Sequence, residues 1–174
     1  STPFTCTVEH KKGVEVNMKL SEVGFVLPAP VSIVVSIDNR SSKPIEGEKE
    51  RDDDFSLLLC ATGLIFSLEE TVTVKFGSKP VVYSRVVMLD RPNAPVFVDK
   101  HKQDVIKHAM LVSAPRGTDS GVTNFSINCP FLAISHRVCA SPVVKGIKEK
   151  ELVAGVEIYI WGNVKEREQK EFKL

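Results

Sequence analysis

Four histidines, four cysteines and a run of three aspartates are the side chains in this sequence whose types lend themselves to catalysis or metal binding. Nucleophilic catalysis needs a Ser or Cys beside a base, with a third group to orient that base. His136 has Ser135 next to it and Cys139 three residues on, inside a run that reads as a strand. Strand residues one or three apart point to opposite faces, so neither side chain meets His136 directly. A structural histidine is therefore expected. His101 and His108, seven residues apart, would share a helix face but sit about 10 Å apart in rise, too far for one zinc ion. Both are expected at the surface. None of Cys6, Cys60, Cys129 and Cys139 stands in a C-x-x-C pair, and each lies in or beside an apolar run, so buried free thiols are expected. A Cys129–Cys139 bridge across a hairpin is the alternative. Asp52, Asp53 and Asp54 follow Arg51 and are the cation candidate, since hard cations take clustered carboxylates; they lack the spacing and bidentate Glu of an EF-hand loop, and a solvated loop is the expected role. No Gly-rich phosphate loop occurs. The reading is no enzyme, no metal site and no cofactor.

These residues sit in a chain that reads as strands. Its 174 residues suit one domain, and 43% hydrophobic with 26% charged residues are ordinary globular values. The net charge of +1 lacks the basic excess of a dedicated nucleic-acid binder. Apolar stretches such as Leu57 to Phe66 and Val81 to Leu89 fall short of the ~20 residues of a membrane helix, and the first ten residues lack signal-peptide order. Phe4 to Val8 and Val14 to Leu20 alternate with period two. Val31 to Ile37 is nearly continuous and reads as a central strand covered on both faces. Ser41 to Asp54 reads as a loop, Gly63 as a bulge or bend, and Gly77 to Pro80 as a turn. Asp99 to Leu111 is the helix candidate, because Val105, Ile106, Ala109 and Met110 share a helical face and Pro115 would stop it. Strands are expected at Val122 to Asn128, Phe131 to Val138 and Val156 to Trp161. About ten strands with one short helix predict an all-β, jelly-roll-like antiparallel β-sandwich over residues 1–164, with a charged tail at 165–174.

Three stretches carry a resemblance. Val31-Ser32-Ile33-Val34-Val35-Ser36-Ile37-Asp38-Asn39-Arg40 resembles an apolar strand ending in Asp, with Arg two residues later, in the thirty-kilodalton movement-protein superfamily of plant viruses. Lys102 to Ala109 is similar to the segment that follows that family's middle strands, and Cys129 to Ser135 to its Cys-Pro-apolar strand. The order holds across residues 31–139, while the acidic loop before Phe55 and the missing extended basic region depart from it. Viral coat proteins with single jelly rolls resemble the same pattern. The resemblance implies a coat or shell subunit that self-associates, with a cell-to-cell movement protein binding nucleoprotein as one alternative and a non-viral binding sandwich as another. It implies a place in the virion or host cytoplasm, with secretion left open by the sequons at Asn39 and Asn124.

For a self-associating sandwich the residues of interest are contacts. Tyr159 and Trp161 alternate outward from the apolar face of the last strand and are the interface candidates; with the faces assigned the other way they would be core. Asp38 and Arg40 share a face and form a candidate structural pair. Lys100, Lys102 and Lys107 are the candidate contact for single-stranded RNA, which would be electrostatic and salt-sensitive.

Overall fold

The structure is a computed structural model that describes residues 4–40, 59–92, 98, 101–113, 124–144 and 147–161, the side chains of 59–62 excepted. Among the described residues ten strands form two sheets. The smaller contains β1 (Phe4–His10), β2 (Val14–Leu20), β4 (Ala29–Asn39) and β7 (Gln103–Val112), in the order β1-β2-β4-β7, all antiparallel. The larger contains β3 (Gly24–Val26), β5 (Leu59–Val74), β6 (Val81–Asp90), β8 (Ile127–Asn128), β9 (Leu132–Val144) and β10 (Ala154–Trp161). Its order is β3-β10-β9-β5-β6, with β8 on β9 in line with β10, and only β3 runs parallel to its neighbour. The antiparallel β-sandwich expected from the sequence is present.

Alternation builds the core. Val14, Val16, Met18 and Leu20 of β2 and Val31, Ile33, Val35 and Ile37 of β4 turn one way. They meet Phe66, Leu68, Val138, Ala140, Val156 and Ile158 of the larger sheet. Gly13 closes the β1–β2 hairpin at φ 84°, and Gly77 turns β5 toward β6 at φ 78°, a region that glycine enters without the Cβ penalty. The irregularity anticipated at Gly63 is a register shift of β5 against β9 between Leu59 and Leu64.

Four expectations need correction. Residues 103–112 form a strand, and the only helical turn among the described residues is the 3-10 segment Glu149–Glu151. The same apolar residues satisfy a period of two: Ile106, His108, Met110 and Val112 turn inward, whereas Val105, Lys107, Ala109 and Leu111 turn out. Pairing with β4 from Ala29 to Asp38 decides between the periods, a case of tertiary context overriding local pattern. Secondly, β4 is covered on one face only. Val34, half-buried on the outer face, lies between Lys19 and Lys107 in the register, whose aliphatic stems can shelter it. Thirdly, His108 is not a surface residue: it turns inward, stacks on Phe66 at 4.5 Å and bonds Asp90 at 2.8 Å. Lastly, Cys139 is buried and Cys6 half-buried as free thiols, but free Cys129 is exposed, because Cys129-Pro130 is the turn between β8 and β9.

Candidate interaction surfaces and the polar rung

The inner face of the larger sheet is a series of rungs, each made of side chains directly opposite one another. Ala154, Ala140, Phe66 and Asp90 form one, and Val156, Val138, Leu68 and Met88 the next. Both face the smaller sheet. The third rung changes character: Ile158, His136, Glu70 and Arg85.

Glu70 and His136 are each 1% exposed and bond through Glu70 Oε2 and His136 Nε2 at 3.0 Å. Glu70 also accepts from the Asn124 backbone N–H (2.8 Å), the Asn124 side-chain amide (3.0 Å) and the Arg85 Nε and Nη2 (3.2 and 3.1 Å). Burial pushes the Glu70 carboxyl up, but the Asn124 backbone, His136, the Asn124 side chain and Arg85 together outweigh it and hold the group below its ordinary range. Burial pushes His136 down, and Glu70 restores only part of that, so the ring is neutral near pH 7. An ionised carboxylate only accepts, so Nε2 carries the proton and Nδ1 is the acceptor. The Ser126 hydroxyl donates to that nitrogen at 2.9 Å and accepts the Ile160 N–H at 2.9 Å.

Ser126, His136 and Glu70 thus stand in the order of a Ser–His–carboxylate relay. The serine lies ten residues from the histidine and the glutamate sixty-six, separations that no local spacing reveals. Sequence reasoning missed both partners. The signal available was a Glu and a His at inward positions of two apolar strands, where a buried charge needs a partner. With the serine occupied on both sides, the group acts as a clasp: it ties β5, β6 and β9 to residues 124–126 and, through Ile160, to β10.

Beyond the clasp the sheet continues, and among the described residues no strand of the smaller sheet lies over it. Ile127, Ile134, Val72 and Tyr83 make the fourth rung, and Leu132, Val74 and Val81 the fifth. Tyr83 is 61% and Val81 66% exposed, whereas Val72, Val74, Leu132 and Ile134 are half-buried. On the reverse face the same strands carry Thr71, Thr73, Ser84, Ser135 and Ala133, with Val82 exposed on β6. Edge strand β6 has no proline or lysine between Val81 and Asp90, and its one device against edge pairing is the bulge at Val87, where the register with β5 shifts.

Tyr159 and Trp161 lie on the outer face of β10, about half exposed, with ring centroids 6.4 Å apart. Trp161 covers Gly24 so closely that a Cβ there would stand 2.5 Å from the indole. Arg40 Nε donates to Asp38 Oδ2 at 2.7 Å, the expected pair, and Nη2 reaches Glu15 at 3.4 Å. Lys102 and Lys107 are exposed; Lys107 shares the outer face of the smaller sheet with Lys19 and, farther along, with Glu15 and Asp38. The structure therefore does not bring Lys102 and Lys107 into an uninterrupted basic surface. Lys100, the Asp52–Asp54 cluster and the 165–174 tail lie outside the described residues. Of the two sequons, Asn39 is buried (1%) in the fold, and the Asn124 amide is bonded to Glu70. No helix among the described residues is long and apolar enough to cross a membrane.

No protein-family model matches this chain, and no curated protein matches it. Among solved structures it is similar to the crystal structure of Spo0M, a sporulation control protein from Bacillus subtilis, with a TM-score of 0.58 and 8% sequence identity. The likeness covers 87% of this chain and 50% of the other, so this chain spans half the length of that protein. At such identity what the two share is the β-rich fold.

Proposed function

We propose that this protein is a non-enzymatic β-sandwich that works by associating with further copies of itself, as a shell subunit does, through the uncovered apolar end of its larger sheet. The observation that carries the reading is the pair of apolar rungs beyond the Glu70–His136 clasp, with Tyr83 and Val81 of β6 exposed. A one-sided apolar sheet end loses contact with water when the same surface of a second copy covers it about a two-fold axis. The resemblance of residues 31–139 to viral jelly-roll proteins gives the specific form, a coat subunit, with a movement protein as the alternative. A non-viral binding sandwich would use the same face for a different protein.

Sedimentation velocity over a hundredfold concentration range tests this, with Val81→Glu/Tyr83→Glu as the comparison. Concentration-dependent association in the parent and a monomer in the variant are expected. A parent that stays monomeric at high concentration sinks self-association. Salt-sensitive RNA binding lost in Lys102→Glu/Lys107→Glu would move the reading to nucleoprotein transport.

A further inference from the structure

Past the fifth rung the larger sheet ends in two turns that lie side by side. Lys75 to Pro80 join β5 to β6, with Gly77 at φ 78°, and Cys129 to Phe131 join β8 to β9. The Lys75 N–H donates to Phe131 O at 2.9 Å and ties the turns together. Phe76 of one turn and Phe131 of the other stack with ring centroids 5.7 Å apart and planes 6° from parallel. The rings remain 69% and 61% exposed, and Val82, at the start of β6, is 60% exposed. Stacking therefore hides only part of each ring, and the rest still gains by leaving water.

The charge on these turns is of one sign. Lys75 adjoins Phe76, Lys79 stands in the same turn, and both are exposed. No Asp or Glu occurs from Thr71 to Ser84 or from Asn124 to Ser135. The next acids along β5 are Glu69, which meets Arg137 at 3.7 Å, and Glu70, which is buried in the clasp. This pattern discriminates among occupants. A second copy seated on the tip about a two-fold axis would set the lysines of one copy against those of the other. A nucleic-acid strand takes a positively charged groove with aromatic faces open to successive bases, whereas here each ring spends a face on its neighbour. A bilayer with acidic lipids matches both halves of the pattern. Aromatic side chains settle at headgroup level, lysines beside them meet the anionic headgroups, and a fluid surface accepts protruding rings without a complementary pocket.

We propose that the Phe76–Phe131 tip docks this protein on a lipid bilayer that carries anionic headgroups. The two rings and Val82 enter the interface, and Lys75 and Lys79 rest against the headgroups. Such attachment is peripheral and reversible, because it scales with the small apolar area buried plus the charge attraction. It goes beyond self-association and uses other side chains than Tyr83 and Val81, although Val81 stands next to the tip.

The test is flotation of the full chain with vesicles of phosphatidylcholine and phosphatidylserine at about 3:1, against vesicles of phosphatidylcholine alone. Protein is kept at a concentration where sedimentation shows a monomer, so lipid binding and self-association are read separately. The chain is expected to float with the mixed vesicles and to remain in the lower layer with phosphatidylcholine. Lys75→Gln/Lys79→Gln should weaken binding roughly twentyfold, the product of about fivefold for each lysine. Phe76→Ser/Phe131→Ser, at exposed positions, should weaken it about tenfold or more with both charges kept. Phe76→Trp should shift fluorescence to shorter wavelength on the mixed vesicles, beyond any change in the parent, whose one indole is Trp161. No flotation at millimolar mixed lipid overturns the inference, and equal flotation with both vesicles overturns its charge selection. Flotation without a shift in Phe76→Trp means adhesion by another surface and overturns the tip. A shift on polyuridine with none on vesicles assigns the tip to nucleic acid instead.

Discussion

Glu70 is the most heavily bonded side chain described, accepting from Asn124 twice, from Arg85 twice and from His136. Removing its charge leaves those donors facing a neutral group inside the fold, so Glu70→Gln is expected to cost about 2–4 kcal/mol in denaturant unfolding. The clasp also sets a pH dependence. The folded His136 has a lowered pKa, so the unfolded chain takes up its proton first, from about pH 6.5 downward. Its contribution is complete above that pH and is lost as pH falls toward the folded value. The folded Glu70 is lowered too, so a second loss begins near the ordinary glutamate value of about 4.3 and continues below it. The melting temperature should therefore decline in two steps on acidification. His136→Gln, whose amide can still donate to Glu70, should flatten the first step and leave the second. If the variant declines between pH 7 and 5.5 as steeply as the parent, the assignment to His136 is wrong. Trp161, the one tryptophan, gives a further readout. Gly24→Ala puts a methyl where the indole rests, the half-exposed ring must move aside, and its fluorescence emission should shift to longer wavelength.

Strand β7 shows what local pattern can and cannot decide. Val105, Ile106, Ala109 and Met110 fit one face of a helix, yet the strand divides them: Ile106 and Met110 inward, Val105 and Ala109 outward. Met110→Ala is expected to cost about 2–5 kcal/mol, as for other buried large-to-small changes, whereas Val105→Ala should fall within about 0.5 kcal/mol of the parent. Comparable losses at both positions in urea melts would restore the helical face. Where periodicity was unambiguous, at Val14 to Leu20 and Val156 to Ile160, strands and inward faces were legible from residue order. So was the Asp38–Arg40 pair two residues apart, whereas alternation put Tyr159 and Trp161 on one face without deciding that it was the outer one. The clasp was not, since Glu70, Ser126 and His136 meet only through sheet register. Nor was the apolar end of the larger sheet that no described strand faces: a strand's alternation tells which residues share a face, but not how far the facing sheet extends.

At the scale of the whole molecule, that unequal extent is the feature with consequences. The smaller sheet covers the Phe66 and Leu68 rungs, the clasp seals them with satisfied polar groups, and apolar side chains resume outside the seal. If a second copy covers those rungs, the contact stabilises the folded state by mass action, because unfolded chains do not make it. The melting temperature should then rise with protein concentration in the parent and become independent of it in Val81→Glu/Tyr83→Glu. Salt separates this contact from an electrostatic one. Screening at 1 M sodium chloride shortens the reach of charges to about 3 Å, yet leaves apolar burial intact. Association through Tyr83 and Val81 should accordingly persist or strengthen at high salt. Dissociation by salt in sedimentation runs would instead place the contact on charged residues, with the mixed outer face of the smaller sheet as the first surface to test by charge reversal at Lys19 and Lys107.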